Sequence, residues 1–245
     1  MGPHMPPAMM SVISTLTPSL DRLLGGGFPT GQLSLIYGEA SSGKTTLSIQ
    51  CAVSASMKSL KTLYIDSDQS FSHQRLLQIA GGRDEDACKG ILIFLPQSFG
   101  EQSRIVESLE NYITKKVGLI VMDTVTSLYR VALGKAGGSF GLNRELNRQL
   151  AYLAELAAEH NLVVLVTGQV RSKVEGIGWQ VEPVARRTLL HWPRVILRLK
   201  PTAEQKIKEA RLERSPDQAY EQKRCYLEMT QSGLVDFHEL NTWSS

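Results

Sequence analysis

Apolar positions fall into two alternating patterns along this chain. Leu33-Ser34-Leu35-Ile36-Tyr37, Lys61-Thr62-Leu63-Tyr64-Ile65-Asp66, Ile91-Leu92-Ile93-Phe94-Leu95, Leu119-Ile120-Val121-Met122-Asp123 and Leu162-Val163-Val164-Leu165-Val166 are short, nearly continuous apolar runs. Runs of this kind suit strands of a parallel sheet covered on both faces. Between them, apolar residues recur at helical spacing from Thr45 to Val53, from Phe71 to Ile79, from Gln102 to Ile113 and from Leu142 to His160. The alternation predicts a doubly wound α/β domain, a mostly parallel twisted sheet flanked by helices.

The pattern changes at both ends. Leu20 to Pro29 reads as a short helical turn broken by Gly25-Gly26-Gly27 and Pro29, delivering the chain to the first core strand. Gly81-Gly82 ends the second helix. From Arg194 onward the runs Val195–Leu199, Lys208–Arg214, Arg224–Thr230 and Leu234–Phe237 follow one another without long helices, which predicts an antiparallel extension of the sheet.

With 245 residues, 42% of them hydrophobic and 21% charged, the chain is sized for one large domain, expected over residues 11–240. Met1-Gly2-Pro3-His4 resembles the remnant of a cleaved tag, so residues 1–10 are expected to be a flexible lead and 241–245 a flexible tail. There is no apolar stretch of about 18 residues and no signal core, so a cytoplasmic protein without membrane contact is expected. Cys51, Cys88 and Cys225 are widely spaced and fit free thiols better than disulfides or zinc. The net charge of +3 does not by itself indicate a nucleic-acid partner, so the distribution of cations must carry that argument.

Gly38-Glu39-Ala40-Ser41-Ser42-Gly43-Lys44-Thr45 matches the phosphate-binding pattern G-x-x-x-x-G-K-[ST], between a predicted strand and a predicted helix. Glycines at the first and sixth positions let successive backbone N–H groups turn toward phosphate oxygens, and the following helix points its N-terminus at the same anion. Lys44 is positioned to neutralise the outer phosphates, Thr45 to offer magnesium a hydroxyl, and Thr46 to line the same turn. A magnesium–nucleotide site also needs a second acid, and Asp123 at the end of an apolar strand fits that role, with a helix-capping aspartate as the plainer reading. A water-activating group could come from Asp66, Asp68 or Gln169, which follow other strands.

The order of these pieces resembles the RecA/RadA recombinase family, and within it a short archaeal paralogue, from Ser14 to Phe237. The resemblance is carried by Ser19–Gly27, the phosphate loop, Tyr64–Leu76, Met122–Arg130, Leu146–Leu150 and Val166–Val170. It implies a RecA-like P-loop ATPase core with ATP and Mg2+ as cofactors. By its motifs, Arg75 is the arginine that stacks on adenine, and Gln169 contacts the terminal phosphate and passes nucleotide state to the loop beyond. Asp68 stands where the family carries a glutamate as general base. Its carboxylate is one methylene shorter, and a base must come within about 3 Å of its proton or act through one water, so tight ATP binding with weak hydrolysis is expected.

Two cation-bearing segments occupy positions where the family's mobile loops hold single-stranded DNA. The first, between Tyr129 and Leu142, carries Arg130 and Lys135. The second, between Val170 and His191, carries Arg171, Lys173, Arg186 and Arg187 beside Ile177 and Trp179. Cations there meet phosphates, while Glu175 and Glu182 dilute the second segment toward an ordinary solvated loop. No Phe-x-x-Ala docking segment and no helical DNA-binding domain of the usual ~50-residue minimum stands ahead of the core. The resemblance therefore implies an accessory mediator of homologous recombination that binds ATP and single-stranded or branched DNA and assists the main RadA-type recombinase or other repair proteins. Self-association stays open. The alternatives are an active, filament-forming strand-exchange recombinase, or a KaiC-like nucleotide-dependent regulator that binds protein in place of DNA.

Overall fold

The computed structural model describes residues 11–82, 89–135, 139–175, 178–217 and 222–237. The expected flexible ends, Cys88 and Ile177 lie outside these residues. The helices are α1 (Pro18–Leu23), α2 (Lys44–Met57), α3 (His73–Ala80), α4 (Phe99–Ser108), α5 (Ser127–Lys135), α6 (Phe140–His160) and α7 (Arg186–Leu189). The strands are β1 (Val12–Ile13), β2 (Phe28–Pro29), β3 (Gln32–Gly38), β4 (Lys61–Asp66), β5 (Ile91–Phe94), β6 (Val117–Asp123), β7 (Val163–Glu175), β8 (Gly178–Pro183), β9 (Val195–Pro201), β10 (Ile207–Arg214), β11 (Arg224–Thr230) and β12 (Gly233–Asp236).

The main sheet has the order β12-β11-β10-β9-β3-β7-β6-β4-β5. From β9 to β5 every neighbouring pair is parallel, whereas β10, β11 and β12 continue antiparallel. The apolar runs alternate between two cores, as a two-residue period requires. Ile36, Tyr64, Leu119, Val121, Val163 and Leu165 pack with α2 and α3 on one face. Leu35, Ile65, Ile120, Met122, Val164 and Val166 pack with α4, α5 and α6 on the other. Serine side chains begin two of the helices: Ser72 accepts from Arg75 N and Ser98 from Glu101 N, each at 3.2 Å. Gly81 closes α3 in the left-handed conformation at φ 58°, as its position in the sequence implied.

Two expectations need correction. The first DNA-loop segment is largely helix, because α5 runs to Lys135 with Leu128, Ala132 and Leu133 packed on the core, and α6 already begins at Phe140. Only residues 136–138 between them lie outside the described residues. The second is no open loop either. β7 continues past its sheet neighbours and pairs antiparallel with β8 from Val170↔Pro183 to Glu175↔Gly178, so a backbone ladder replaces the expected irregular chain.

The N-terminal segment and the antiparallel extension are tied to the helix that follows the phosphate loop. Gln50, in the middle of α2, donates to Thr15 O at 3.0 Å and to Leu234 O at 2.9 Å, and accepts from Leu234 N at 2.8 Å. Each of these bonds satisfies a buried backbone group that has no water to turn to. Cys51 is buried and Cys225 half-buried, and both are free thiols. Among the described residues, no helix is long and apolar enough to cross a membrane.

Candidate functional site

The phosphate loop leaves the sheet from β3, between β7 and β9, where Gly38 stands in register with Gln169 on one side and Leu199 on the other. A Cβ on Gly38 would lie 2.0 Å from the Leu199 carbonyl oxygen, so no side chain fits there. Gly43 caps α2 at φ 101°, a conformation that glycine adopts without steric cost. Lys44 opens α2, yet its side chain reaches back over the loop. Its Nζ donates to Gly38 O at 2.9 Å and Glu39 O at 2.6 Å, and the residue is only 8% exposed. Burial pulls this ammonium below the usual lysine range, against the opposing pull of Asp123 and Asp68.

Asp123 ends β6 and is fully buried. Its carboxylate accepts from Tyr64 Oη at 2.9 Å, from Thr167 Oγ1, and from the Thr45 side chain. Burial raises its pKa, and these three donors work in the opposite direction. Thr45 and Asp123 are thus an adjacent hydroxyl and carboxylate, a hard-oxygen pair. One carboxylate suits magnesium, which keeps several waters and takes phosphate oxygens, better than it suits an all-protein cage. No cluster of three or more histidine, cysteine or acidic residues suited to a metal occurs among the described residues.

Asp66 and Asp68 follow β4 but do different things. Asp66 is buried and accepts from Ser70 N at 3.0 Å and Phe71 N at 2.8 Å, so both carboxylate oxygens fold the next turn. Asp68 is exposed, and its Oδ2 accepts from Gln169 Nε2 at 3.2 Å. Because β7 lies between β3 and β6, its middle, where pairing with β3 stops at Gly38↔Gln169, places Gln169 between the phosphate loop and Asp123. Lys44, Thr45, Asp68, Asp123 and Gln169 therefore share one edge of the sheet.

Arg75 lies to the side of this group. Its Nη1 donates to Gln231 O at 2.7 Å and its Nη2 to Thr230 O at 2.9 Å, fixing the guanidinium against the β11–β12 turn. With Thr46 and Met229 it lines an open cleft of about 670 Å³ beside the first turn of α2.

Of the DNA-binding candidates, Arg171, Arg186 and Arg187 come together, with Tyr129 and Asn143, around a cleft of about 640 Å³ between α5, α6, β8 and α7. Arg171 is paired with Glu182 at 2.7 Å, so part of its charge is already balanced. Lys135 is exposed at the end of α5 and does not line this cleft. The side chains of Lys173 and Trp179 lie outside the described residues. Arg130 points elsewhere, donating to Gln169 Oε1 at 2.7 Å. Sequence reasoning missed Tyr64 and Thr167 as partners of Asp123. Their signal was a hydroxyl beside apolar neighbours in a predicted core strand, Tyr64 between Leu63 and Ile65 and Thr167 directly after Leu165-Val166.

A profile of the family described as Rad51 matches residues 8–237. The DNA repair and recombination protein RadB of Thermococcus kodakarensis is 36% identical over 230 residues, covering 92% of this chain and 99% of that protein. The protein of the same name from Methanococcoides burtonii is 37% identical over 183 residues, covering 75% of this chain and 80% of its own length. A solved structure described as the RadB recombinase superimposes with a TM-score of 0.78 at 35% identity, covering 93% of this chain and 100% of its own.

The raised pKa of Asp123 sets the direction of one pH effect. Were Asp123 to support a divalent cation, its carboxylate would have to be ionised, so magnesium-dependent nucleotide binding would be complete at high pH. It would be lost as pH falls through the raised value, above the range in which an exposed aspartate titrates. Tyr64→Phe removes a donor to the ionised form and moves that loss to still higher pH. Binding titrations of the two proteins across pH test this, and coincident profiles contradict it.

Proposed function

The chain belongs to the Rad51 family, and from that membership we propose that it is an ATP- and DNA-binding, RadB-like accessory protein of homologous recombination and DNA repair, with weak ATP hydrolysis. The observation that carries the reading is the gathering of Asp68, Asp123 and Gln169 around the Lys44 loop at one sheet edge. It supports an ATP site, and the arginine cleft beside it supports a nucleic-acid partner.

In this reading Lys44 gives up the Gly38 and Glu39 carbonyls for the outer phosphates of ATP. Thr45 and Asp123 would hold magnesium, which would supply neutralisation of the phosphate charge. Arg75 bounds the cleft for adenine. Gln169 meets the terminal phosphate, and Asp68 orients and deprotonates the attacking water. The short aspartate reaches that water poorly, which keeps turnover low. The partners in view are single-stranded or branched DNA and a main recombinase of the same family. A filament-forming recombinase and a protein-binding regulator remain the competing assignments, separated by the outcomes below.

DNA binding through Arg171, Arg186 and Arg187 makes affinity fall steeply with salt. For a single-stranded oligonucleotide measured with ATP, the logarithmic slope is expected near −2, about −0.7 for each phosphate neutralised, and Arg186→Ala lowers it by roughly one phosphate's share. A salt-independent signal, or no binding, favours the protein-binding regulator. Cooperative ATP-dependent assembly on DNA, seen by electron microscopy, favours the filament-forming recombinase.

Asp68→Glu restores the missing methylene. Its steady-state kcat is expected to rise roughly tenfold with little change in KM for ATP, because the base acts only in the transition state. An unchanged kcat contradicts the role given to Asp68.

A further inference from the structure

At the opposite end of β3 from the phosphate loop lies a cleft of about 760 Å³ that the ATP site does not use. One wall is a face of α6 carrying Ala151, Ala154 and Ala158, and the other is Trp192-Pro193, with Gly31 and Leu33 completing the apolar lining. The second wall is held in place. Trp192 Nε1 donates to Asn147 Oδ1 at 3.0 Å, and Arg214 donates to Leu190 O at 2.7 Å and Pro193 O at 3.0 Å. Small side chains on one side and an anchored indole on the other leave room for an extended backbone with apolar side chains.

The start of the described chain heads for this cleft. β1 pairs antiparallel with β2, Val12↔Pro29 and Ile13↔Phe28, and Thr30 N donates to Ser11 O at 2.8 Å, so the pairing already extends one residue beyond the strands. Each step toward the N-terminus therefore advances along Phe28-Pro29-Thr30 toward Gly31, which lines the cleft. The residues ahead of Ser11 are Met5-Pro6-Pro7-Ala8-Met9-Met10, six in a row without a charge or a polar side chain.

We propose that residues 5–10 of this chain lie in the cleft between α6 and Trp192 of the same molecule, as an extended apolar strap. Six extended residues reach roughly 20 Å, and the helix face from Ala151 to Ala158 is about 10 Å long, so the strap spans it. Pro6 and Pro7 preset an extended conformation of the kind that docks on aromatic-lined grooves, which lowers the entropy lost on docking. The unbranched methionines adapt to an irregular apolar wall. Attachment at Ser11, beside Gly31, gives the strap a high effective concentration at its own cleft, ahead of any second copy. Docked there, it ties the N-terminal segment that Gln50 holds against α2 to α6 on the other side of the sheet.

The test is acrylamide quenching of Trp192 fluorescence in the full chain carrying Trp179→Phe and Trp243→Phe, which leaves Trp192 as its one tryptophan. Arg194 and Arg214 outnumber Glu155 on the cleft lining, so the double substitution Met9→Lys, Met10→Lys sets cations against cations and expels the strap. The quenching constant is expected to rise about twofold with a red shift in emission, as uncovering one face of an indole entails. His4→Lys adds charge ahead of the strap and is expected to leave quenching unchanged. Equal quenching in the double variant and its parent overturns the proposal, as does an equal rise with His4→Lys. Dilution over about a hundredfold range identifies the molecule that supplies the strap. Protection independent of concentration supports docking within one molecule, whereas protection that fades on dilution, with a dimer mass by light scattering, assigns the cleft to a second copy and overturns it.

Discussion

At Gly38 the central strand of the sheet runs out with 2.0 Å between any Cβ and the Leu199 carbonyl oxygen, and the geometry of the site depends on that closeness. Because β3 is hydrogen-bonded on both sides, to β7 and to β9, the phosphate loop starts from a fixed point. The same ladders set the other groups. Gly38 in register with Gln169, and Asp66 in register with Asp123, bring the ends of β3, β4 and β6 and the middle of β7 to one edge. A slip of one residue in any of these pairs would turn its side chains to the opposite face. The functional groups are thus placed by backbone pairing, with two apolar cores holding the pairing in place.

Around that edge the fold keeps charges where charges are costly. The Lys44 ammonium is nearly buried and turns to the carbonyls of its own loop, and the Asp123 carboxylate is buried among three hydroxyl donors. Both arrangements satisfy the group without matching it to a full opposite charge. A magnesium–triphosphate would supply what each lacks, anionic oxygens for the lysine and a cation beside the aspartate. The preorganised hydroxyls of Tyr64, Thr167 and Thr45 leave that carboxylate little room to reorient.

Local features could be read directly from the sequence. The phosphate loop is eight consecutive residues with fixed chemistry, and Asp123 closes an uninterrupted apolar strand, so both were visible before the fold was known. Continuous apolar runs identified most of the parallel strands, and the loss of helical spacing after Arg194 identified the antiparallel β10, β11 and β12; β9, expected as part of that extension, instead pairs parallel with β3. The pairing of distant segments was not visible. β7 outruns its sheet because β8 pairs with it, and the helical course of α5 through Lys135 depends on packing against the far face of the sheet. Likewise Arg130 and Gln169 are 39 residues apart, so the composition of the first segment pointed Arg130 to DNA while its hydrogen bond points to the nucleotide side.

In the proposed ATP site a nucleoside triphosphate replaces the carbonyl oxygens as the partner of Lys44. Calorimetric titration of magnesium–ATP into the full chain and into its Lys44→Ala variant measures this most directly. Binding at one site is expected in the wild type, weakened about a hundredfold or more in the variant, as loss of a buried charge partner entails. Equal affinities in the two proteins, or no binding in the wild type, would contradict it.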